Sequence, residues 1–175
     1  MSTVEVGTLY YGGVEGSSSS TFPCLKIRTI VYTDIGDMGN SWAQRNVFNT
    51  SPLINQGGWS YNSGTITIPE SGKYFVSSNI IHKDATQAST SQDNYRNTIW
   101  HRWEINGVAQ AEESRSSYNR DYANHDRAST GISTMYSLSQ GDQLKMQFRN
   151  YTGYTDPNNI GLIDNSHILI FKFSE

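Results

Sequence analysis

The sequence predicts an all-β protein, a sandwich of two antiparallel sheets built from about ten short strands. Polar and apolar residues alternate in many short segments, which is the period of a half-buried strand. Gly, Pro, Asn and Ser separate these segments, and no stretch has a convincing helical period. The composition agrees, because aromatic residues make up 12% of the chain, with 11 tyrosines, and charged residues only 17%.

The 175 residues divide into a short arm and one domain. Residues 1–23 contain the run Gly16–Ser20, read GSSSS, and few apolar side chains. They are predicted to form a flexible N-terminal arm, or a docking segment that becomes ordered on a larger assembly. Residues 24–175 are long enough for one domain with its own core.

The predicted strands follow from the alternation and from the turn residues between them. In chain order they are 26–33, 42–47, 59–61, 65–68, 73–81, 98–105, 108–113, 130–138, 144–148 and 167–173. The fourth ends at Pro69, which lacks a backbone donor, and Ser71-Gly72 turns the chain into the fifth. The dipeptide Asn106-Gly107 is a strong two-residue hairpin signal, so the strands on either side of it should pair.

The segment 64–76 (GTITIPESGKYFV) carries a recognisable pattern of residues. Its matching positions are Gly64, Ile66, Thr67, Ile68, Pro69, Gly72, Tyr74 and Val76. They resemble the signature of the tumour-necrosis-factor-like jelly roll, the superfamily that includes the globular heads of complement's recognition subunit and of adiponectin. Further matches lie at 105–107 and 138–144, so the resemblance covers roughly residues 24–175.

Two upstream segments, 40–49 (NSWAQRNVFN) and 57–64 (GGWSYNSG), resemble the bacterial and phage members of that superfamily. The resemblance implies a jelly roll that forms a compact threefold trimer. It further implies a virion structural protein carried on the virion surface. Because the N-terminus does not have the pattern of a secretory signal, we expect the protein to be made in the host cytoplasm. We expect a capsid-decorating knob or a small appendage tip, whose arm contacts other virion proteins. The alternative is an adhesin that binds a host-surface carbohydrate.

The final strand is apolar on both faces, since Ile168 and Ile170 alternate with Leu169 and Phe171. Such a strand lies centrally in a sheet or against a partner chain. We therefore expect a homotrimer with aromatic and aliphatic side chains lining its axis. The candidate interface residues are Tyr136, Phe148, Ile168, Ile170 and Phe171.

Three polar segments, 84–97, 114–126 and 151–159, are predicted as surface loops. Tyr and Arg, which are favoured at recognition surfaces, recur in or beside them. The candidate ligand or receptor residues are Tyr95, Arg96, Tyr118, Arg120, Tyr122 and Tyr154. The alternative left open is that loops of an Asn-, Ser- and Tyr-rich β protein simply have this composition.

No catalytic residue, metal or cofactor is predicted, so the sequence indicates a non-enzymatic protein. Cys24 is the only cysteine, and the four histidines lack the spacing of metal ligands. A weak cation site at His125, Asp121 and Asp126 and a glycan-cleaving activity remain the minor alternatives.

The charge and hydropathy of the chain bear on its partners. The formal net charge is −3, which gives no electrostatic basis for binding nucleic acid. The sequence contains no run of 18 apolar residues, so no insertion into a membrane is predicted. The N-terminus does not resemble a secretory signal.

Overall fold

The computed structural model describes residues 22–29, 33–34, 41–48, 50–84, 96–116, 119–120, 127–150, 160–162 and 165–175. These residues form fifteen strands, and none of them is helical. The strands are β1 (Cys24–Arg28), β2 (Thr33–Asp34), β3 (Ala43–Gln44), β4 (Ile54–Gln56), β5 (Ser60–Asn62), β6 (Thr65–Thr67), β7 (Gly72–Asp84), β8 (Arg96–Asn97), β9 (Ile99–Ile105), β10 (Val108–Arg115), β11 (Asn119–Arg120), β12 (Arg127–Leu138), β13 (Gln143–Asn150), β14 (Ile160–Leu162) and β15 (His167–Ser174).

The strands make two antiparallel sheets and one small ribbon. The larger sheet has the order β2-β14-β7-β15-β1-β4, with β12 also paired to β7. The smaller sheet has the order β10-β9-β13-β6-β5, with β3 also paired to β13. Among the described strands, β8 and β11 pair only with each other. The predicted all-β, two-sheet antiparallel architecture is confirmed.

The core lies between the two sheets and is filled by inward-facing residues at every second position. In β12 the even-numbered positions face the core, from the buried Ala128 to the buried Leu138. Large side chains of both sheets meet there, and the rings of Trp59 and Tyr74 lie edge to face with centroids 5.6 Å apart. The largest fully buried side chains include Trp103, Tyr74, Phe48, Phe148, Leu25 and Ile27.

The two ends of the sandwich differ. At one end, here called the loop end, β7 finishes at Asp84, β10 at Arg115 and β13 at Asn150, and β12 begins at Arg127. All three predicted polar loops therefore leave the domain from this end. At the other end, here called the base, the Asn106-Gly107 hairpin links β9 to β10.

The N-terminal arm joins the domain at the base, where β1 begins at Cys24 rather than at the predicted residue 26. Pro23 is buried, and its carbonyl oxygen accepts a hydrogen bond from Lys172 N at 2.9 Å. Pro23 therefore packs onto the domain directly before β1. Residues 1–21 lie outside the described residues, so the flexible arm stays a prediction.

At the base, Lys172 forms ion pairs with Glu70 and Glu175. Its side chain is only 2% exposed, yet its ammonium group donates to carboxylate oxygens of Glu70 and Glu175 at 2.8 Å each. These contacts raise the pKa of Lys172, with the hydrogen bond to Glu175 as the largest cause. A buried ammonium needs such partners, so the end of β15 is held to the turn before β7.

Candidate functional site

The outer face of the larger sheet is the most unusual surface of the described structure, because large apolar side chains cover part of it. The sheet register aligns Met135 with Phe75, Phe75 with Phe171, and Phe171 with Cys24, across four strands. The rings of Phe75 and Phe171 pack with centroids 5.2 Å apart, and Met135 is 67% exposed. We call these four residues the apolar row.

Towards the loop end the same face becomes polar. The next row across the strands contains Ser133, Ser77, Leu169 and Lys26, and the two serine hydroxyls are hydrogen-bonded at 2.9 Å. The row beyond it contains Gly131, Asn79, His167 and Arg28. The face is thus apolar near the base and hydrophilic near the loops.

The structure corrects most of the predicted trimer-interface residues. Phe148, Ile168 and Ile170 are buried in the core of a single chain, at 0–2% exposure, so they cannot line an axis between chains. Tyr136 also faces inward and packs against the core. Phe171 alone lies on the outer face.

Sequence reasoning missed Met135, Phe75 and Leu169, which share the outer face with Phe171. The signal for them was present, because Phe75 and Leu169 alternate with core residues of β7 and β15. What the alternation could not show is which of the two apolar faces of β15 meets the second sheet.

The predicted recognition residues are only partly described. Tyr95, Tyr118, Tyr122 and Tyr154 lie outside the described residues, as do His125, Asp121 and Asp126 of the minor cation site. Arg96 and Arg120 stand opposite each other in the β8–β11 pair. This pairing brings the end of the predicted loop 84–97 beside the middle of the predicted loop 114–126, at the loop end of the sandwich.

Two buried histidines link the sheets, and sequence analysis did not find their partners. His82 Nε2 is 2.9 Å from Ser116 Oγ, and His101 Nε2 is 3.0 Å from Ser78 Oγ. Burial lowers the pKa of His82 to about 4 and of His101 to about 3, so both rings are neutral near pH 7.

These Ser–His pairs lack the other parts of a nucleophilic site. Both imidazoles are fully buried, and their Nδ1 atoms have no hydrogen-bond partner among the described residues. A catalytic base needs an orienting group at that nitrogen and access to substrate. The pairs therefore act as inter-sheet links.

The single cysteine is not an activated nucleophile. Cys24 lies half-buried in the apolar row, and burial raises the pKa of its thiol. Within the described ranges, no three His, Cys, Asp or Glu side chains converge on a possible metal position. None of those residues forms a helix long and apolar enough to cross a membrane.

No protein-family model matches the chain, and no curated protein matches it in sequence.

Solved structures do match its fold. The globular domain of zebrafish complement 1qA superposes with a TM-score of 0.56 at 10% identity, covering 89% of this chain and 100% of that one. Murine APRIL gives a TM-score of 0.55 at 14% identity, covering 87% of this chain and 100% of that one. Eiger TNF from S. frugiperda gives 0.51 at 14% identity, covering 88% and 94%. The chain therefore has the jelly-roll fold of tumour-necrosis-factor-like and complement globular-head domains.

Proposed function

We propose that this protein is a non-enzymatic homotrimeric head whose larger sheets pack around a threefold axis. One observation carries the proposal: the apolar row on the outer face of that sheet, whose large side chains are Met135, Phe75 and Phe171. An apolar side chain of this size gains about 1.5–3 kcal/mol when it is fully buried. Packing against copies of the same chain would cover the row. The threefold arrangement is what the resemblance to tumour-necrosis-factor-like domains implies.

The polarity of the outer face fits such a trimer. Around the axis, the apolar row would form a dry layer near the base. On the β12–β7 part of the rows above, the residues are small or can hydrogen-bond, which permits close approach without a second apolar layer: Ser133, Ser77, Gly131 and Asn79. The larger Leu169, Lys26, His167 and Arg28 lie on β15 and β1, to one side of that part. Of the predicted interface residues, the proposal keeps Phe171 and adds Met135 and Phe75.

We further propose that the trimer is a virion surface protein, a capsid-decorating knob or small appendage tip. The support is the sequence resemblance of segments 40–49 and 57–64 to bacterial and phage members. The position of the arm fits a surface protein of this kind, because the arm joins the domain at the base, opposite the loop end. A trimer anchored through residues 1–23 to other virion proteins would present its loop end outward.

The second candidate function is an adhesin that binds a host-surface carbohydrate. The observation that favours it is that the strands which precede the three predicted Tyr- and Arg-bearing loops, β7, β10 and β13, all end on the side of the sandwich opposite the arm. A decorating protein works through its base and tolerates loop changes, whereas an adhesin depends on each loop contact. Truncating one such contact costs about 1–4 kcal/mol of binding free energy.

The test changes Tyr118, Arg120 and Tyr122 together to Ala and measures particle incorporation and host-cell binding separately. We expect both to survive, which supports the decorating role. Intact particles that no longer adsorb would make the loops a receptor site. Loss of incorporation would contradict anchoring through the arm.

A further inference from the structure

A row of alternating tryptophan and arginine side chains crosses the outer face of the smaller sheet. Trp100 on β9 is opposite Arg149 on β13 and Arg115 on β10. Trp42 directly precedes β3, which pairs with β13. The guanidinium carbon of Arg149 lies 4.5 Å from the ring centroid of Trp42 and 4.6 Å from that of Trp100, and Arg115 lies 5.6 Å from Trp100. We call these four residues the tryptophan–arginine row.

Arg102, one row closer to the base, extends the stack, with its guanidinium carbon 4.1 Å from the Trp42 centroid. Its Nε donates to Gln147 Oε1 at 2.8 Å. Arg102 and Arg149 both pair with Glu113, at 3.3 and 3.2 Å. Two guanidinium groups therefore share one carboxylate, and the cluster carries excess positive charge on a chain whose net charge is negative.

The cluster is held in place and open to solvent. The side chains of Arg102, Arg149 and Glu113 are 19%, 31% and 29% exposed. A guanidinium stacked on an indole uses its flat face, and the N–H groups in its plane stay directed for hydrogen bonding. The donors are thus fixed before any ligand arrives, which lowers the entropy cost of binding.

We propose that the tryptophan–arginine row binds an acidic polysaccharide with carboxylate-bearing sugar units. The sugar carboxylate pairs with the in-plane N–H groups of Arg149 and Arg115, in competition with Glu113. Guanidinium groups already lie over the rings of Trp42 and Trp100, so neighbouring sugar units contact these indoles at their edges. The excess positive charge of the cluster selects an anionic ligand.

The site is independent of the proposed trimer and of the polar loops. It is built on strands of the smaller sheet, whereas the apolar row lies on the outer face of the larger sheet. Trimer formation through the larger sheet leaves this surface exposed. An experiment can therefore contradict the proposed trimer without contradicting the proposed polysaccharide site, and the reverse.

The experiment titrates the full-length protein with alginate oligosaccharides, which carry a carboxylate on every unit, and with neutral dextran of equal length. Calorimetry and tryptophan fluorescence report binding. We expect saturable alginate binding that weakens with salt, and none to dextran. No saturable alginate binding, or equal binding of dextran, would overturn the proposal.

Variants locate the site. We expect Arg149→Ala to weaken alginate binding by about tenfold or more, and Glu113→Gln to strengthen it by removing the competing carboxylate. Lys145→Ala is the matched control, because Lys145 lies on the same strand and face but outside the row. Its binding should equal that of the unaltered protein.

Thermal unfolding of each variant separates binding from folding. If Arg149→Ala does not fold, Arg115→Ala replaces it, because Arg115 is exposed at the end of the row. A folded variant of either arginine that binds alginate as tightly as the unaltered protein contradicts the assignment. So does a Lys145→Ala variant with the same loss, since the effect would then be general charge.

Discussion

At the scale of single residues, the buried histidines make the stability of the fold depend on pH. The folded state keeps His82 and His101 neutral, with pKa values of about 4 and about 3, whereas their ordinary value is 6.5. Below that value the unfolded chain binds protons that the folded chain does not. Their contribution to stability is therefore complete above about pH 6.5 and is lost as the pH falls towards 4 and 3.

We expect the free energy of unfolding to fall by up to about 1.4 kcal/mol per pH unit for each histidine as the pH drops from 6.5 to 5. Replacing both, with His82→Gln and His101→Gln, should flatten this dependence even if it lowers stability overall. Urea denaturation at several pH values measures it. An unchanged slope in the double variant would refute the account.

The sequence showed only that these histidines lack the spacing of metal ligands, and it could not name their partners. Ser116 and Ser78 lie on different elements, and the pairs form only because the two sheets stack in one relative position. The same limit explains the interface residues. Ile168 and Ile170 are as apolar as Leu169 and Phe171, and only the packing of the sheets decides which pair is buried.

At the scale of elements, the hairpin between β9 and β10 illustrates what local chemistry can specify. Asn106 and Gly107 have φ of 50° and 83°, as a two-residue turn of this kind requires. The Asn106 side chain also donates to Asp142 Oδ1 at 2.8 Å and accepts from Gln143 N at 2.9 Å. The hairpin is thus tied to the turn between β12 and β13, a contact that the dipeptide does not reveal.

We expect Asn106→Ala to lower the free energy of unfolding by about 2 kcal/mol, because it loses two hydrogen bonds and strains a positive φ. Asn106→Gly should cost less, since Gly tolerates the backbone but not the lost bonds. Gln110→Ala is the control in the same hairpin, because it removes only the solvent-exposed hydrogen bond from Gln110 Nε2 to Val108 O, and it should stay within about 0.5 kcal/mol. Urea denaturation measures the free energy of unfolding of each variant and so gives their order of stability. Equal stability of Asn106→Ala and the unaltered protein would contradict it.

Other elements show where local signals run out. The predicted strand at 144–148 is confirmed within β13, since its alternation is regular and its inner face is wholly apolar. β4, in contrast, was not predicted. Its three residues, Ile54–Gln56, are all exposed and show no alternation, and they form a strand only because β1 offers an unpaired edge.

On β12, Met135 provides an element-level test of the proposed interface. Met135→Arg should dissociate the trimer without unfolding the chain, because the side chain is 67% exposed in the single chain. Val108→Arg is the matched control, since Val108 is 65% exposed but lies on the smaller sheet. Size-exclusion chromatography with light scattering distinguishes them. A trimeric Met135→Arg variant, or a Val108→Arg variant that dissociates, would move the interface elsewhere.

At the scale of the whole molecule, the two ends of the sandwich carry different features. The arm enters at the base, where Lys172 fixes the end of β15, and the polar loops leave at the opposite end. Composition, alternation and the segment 64–76 were enough to predict the jelly roll. The arrangement of surfaces required the register of both sheets.

We expect deletion of residues 1–20 to leave thermal stability nearly unchanged, since Pro23 and β1 remain. The same deletion should abolish incorporation into particles if the arm is the anchor. The test requires both results together. Calorimetry measures the thermal stability, and gel analysis of purified particles measures the incorporation. Normal decoration by the truncated protein would remove the anchoring role.

The central claim, that the chain assembles as a homotrimer, is tested most directly by the mass of the protein in solution. Light scattering at micromolar concentration should give about three times the chain mass of 19.6 kDa. A mass equal to that of one chain under these conditions would contradict the claim.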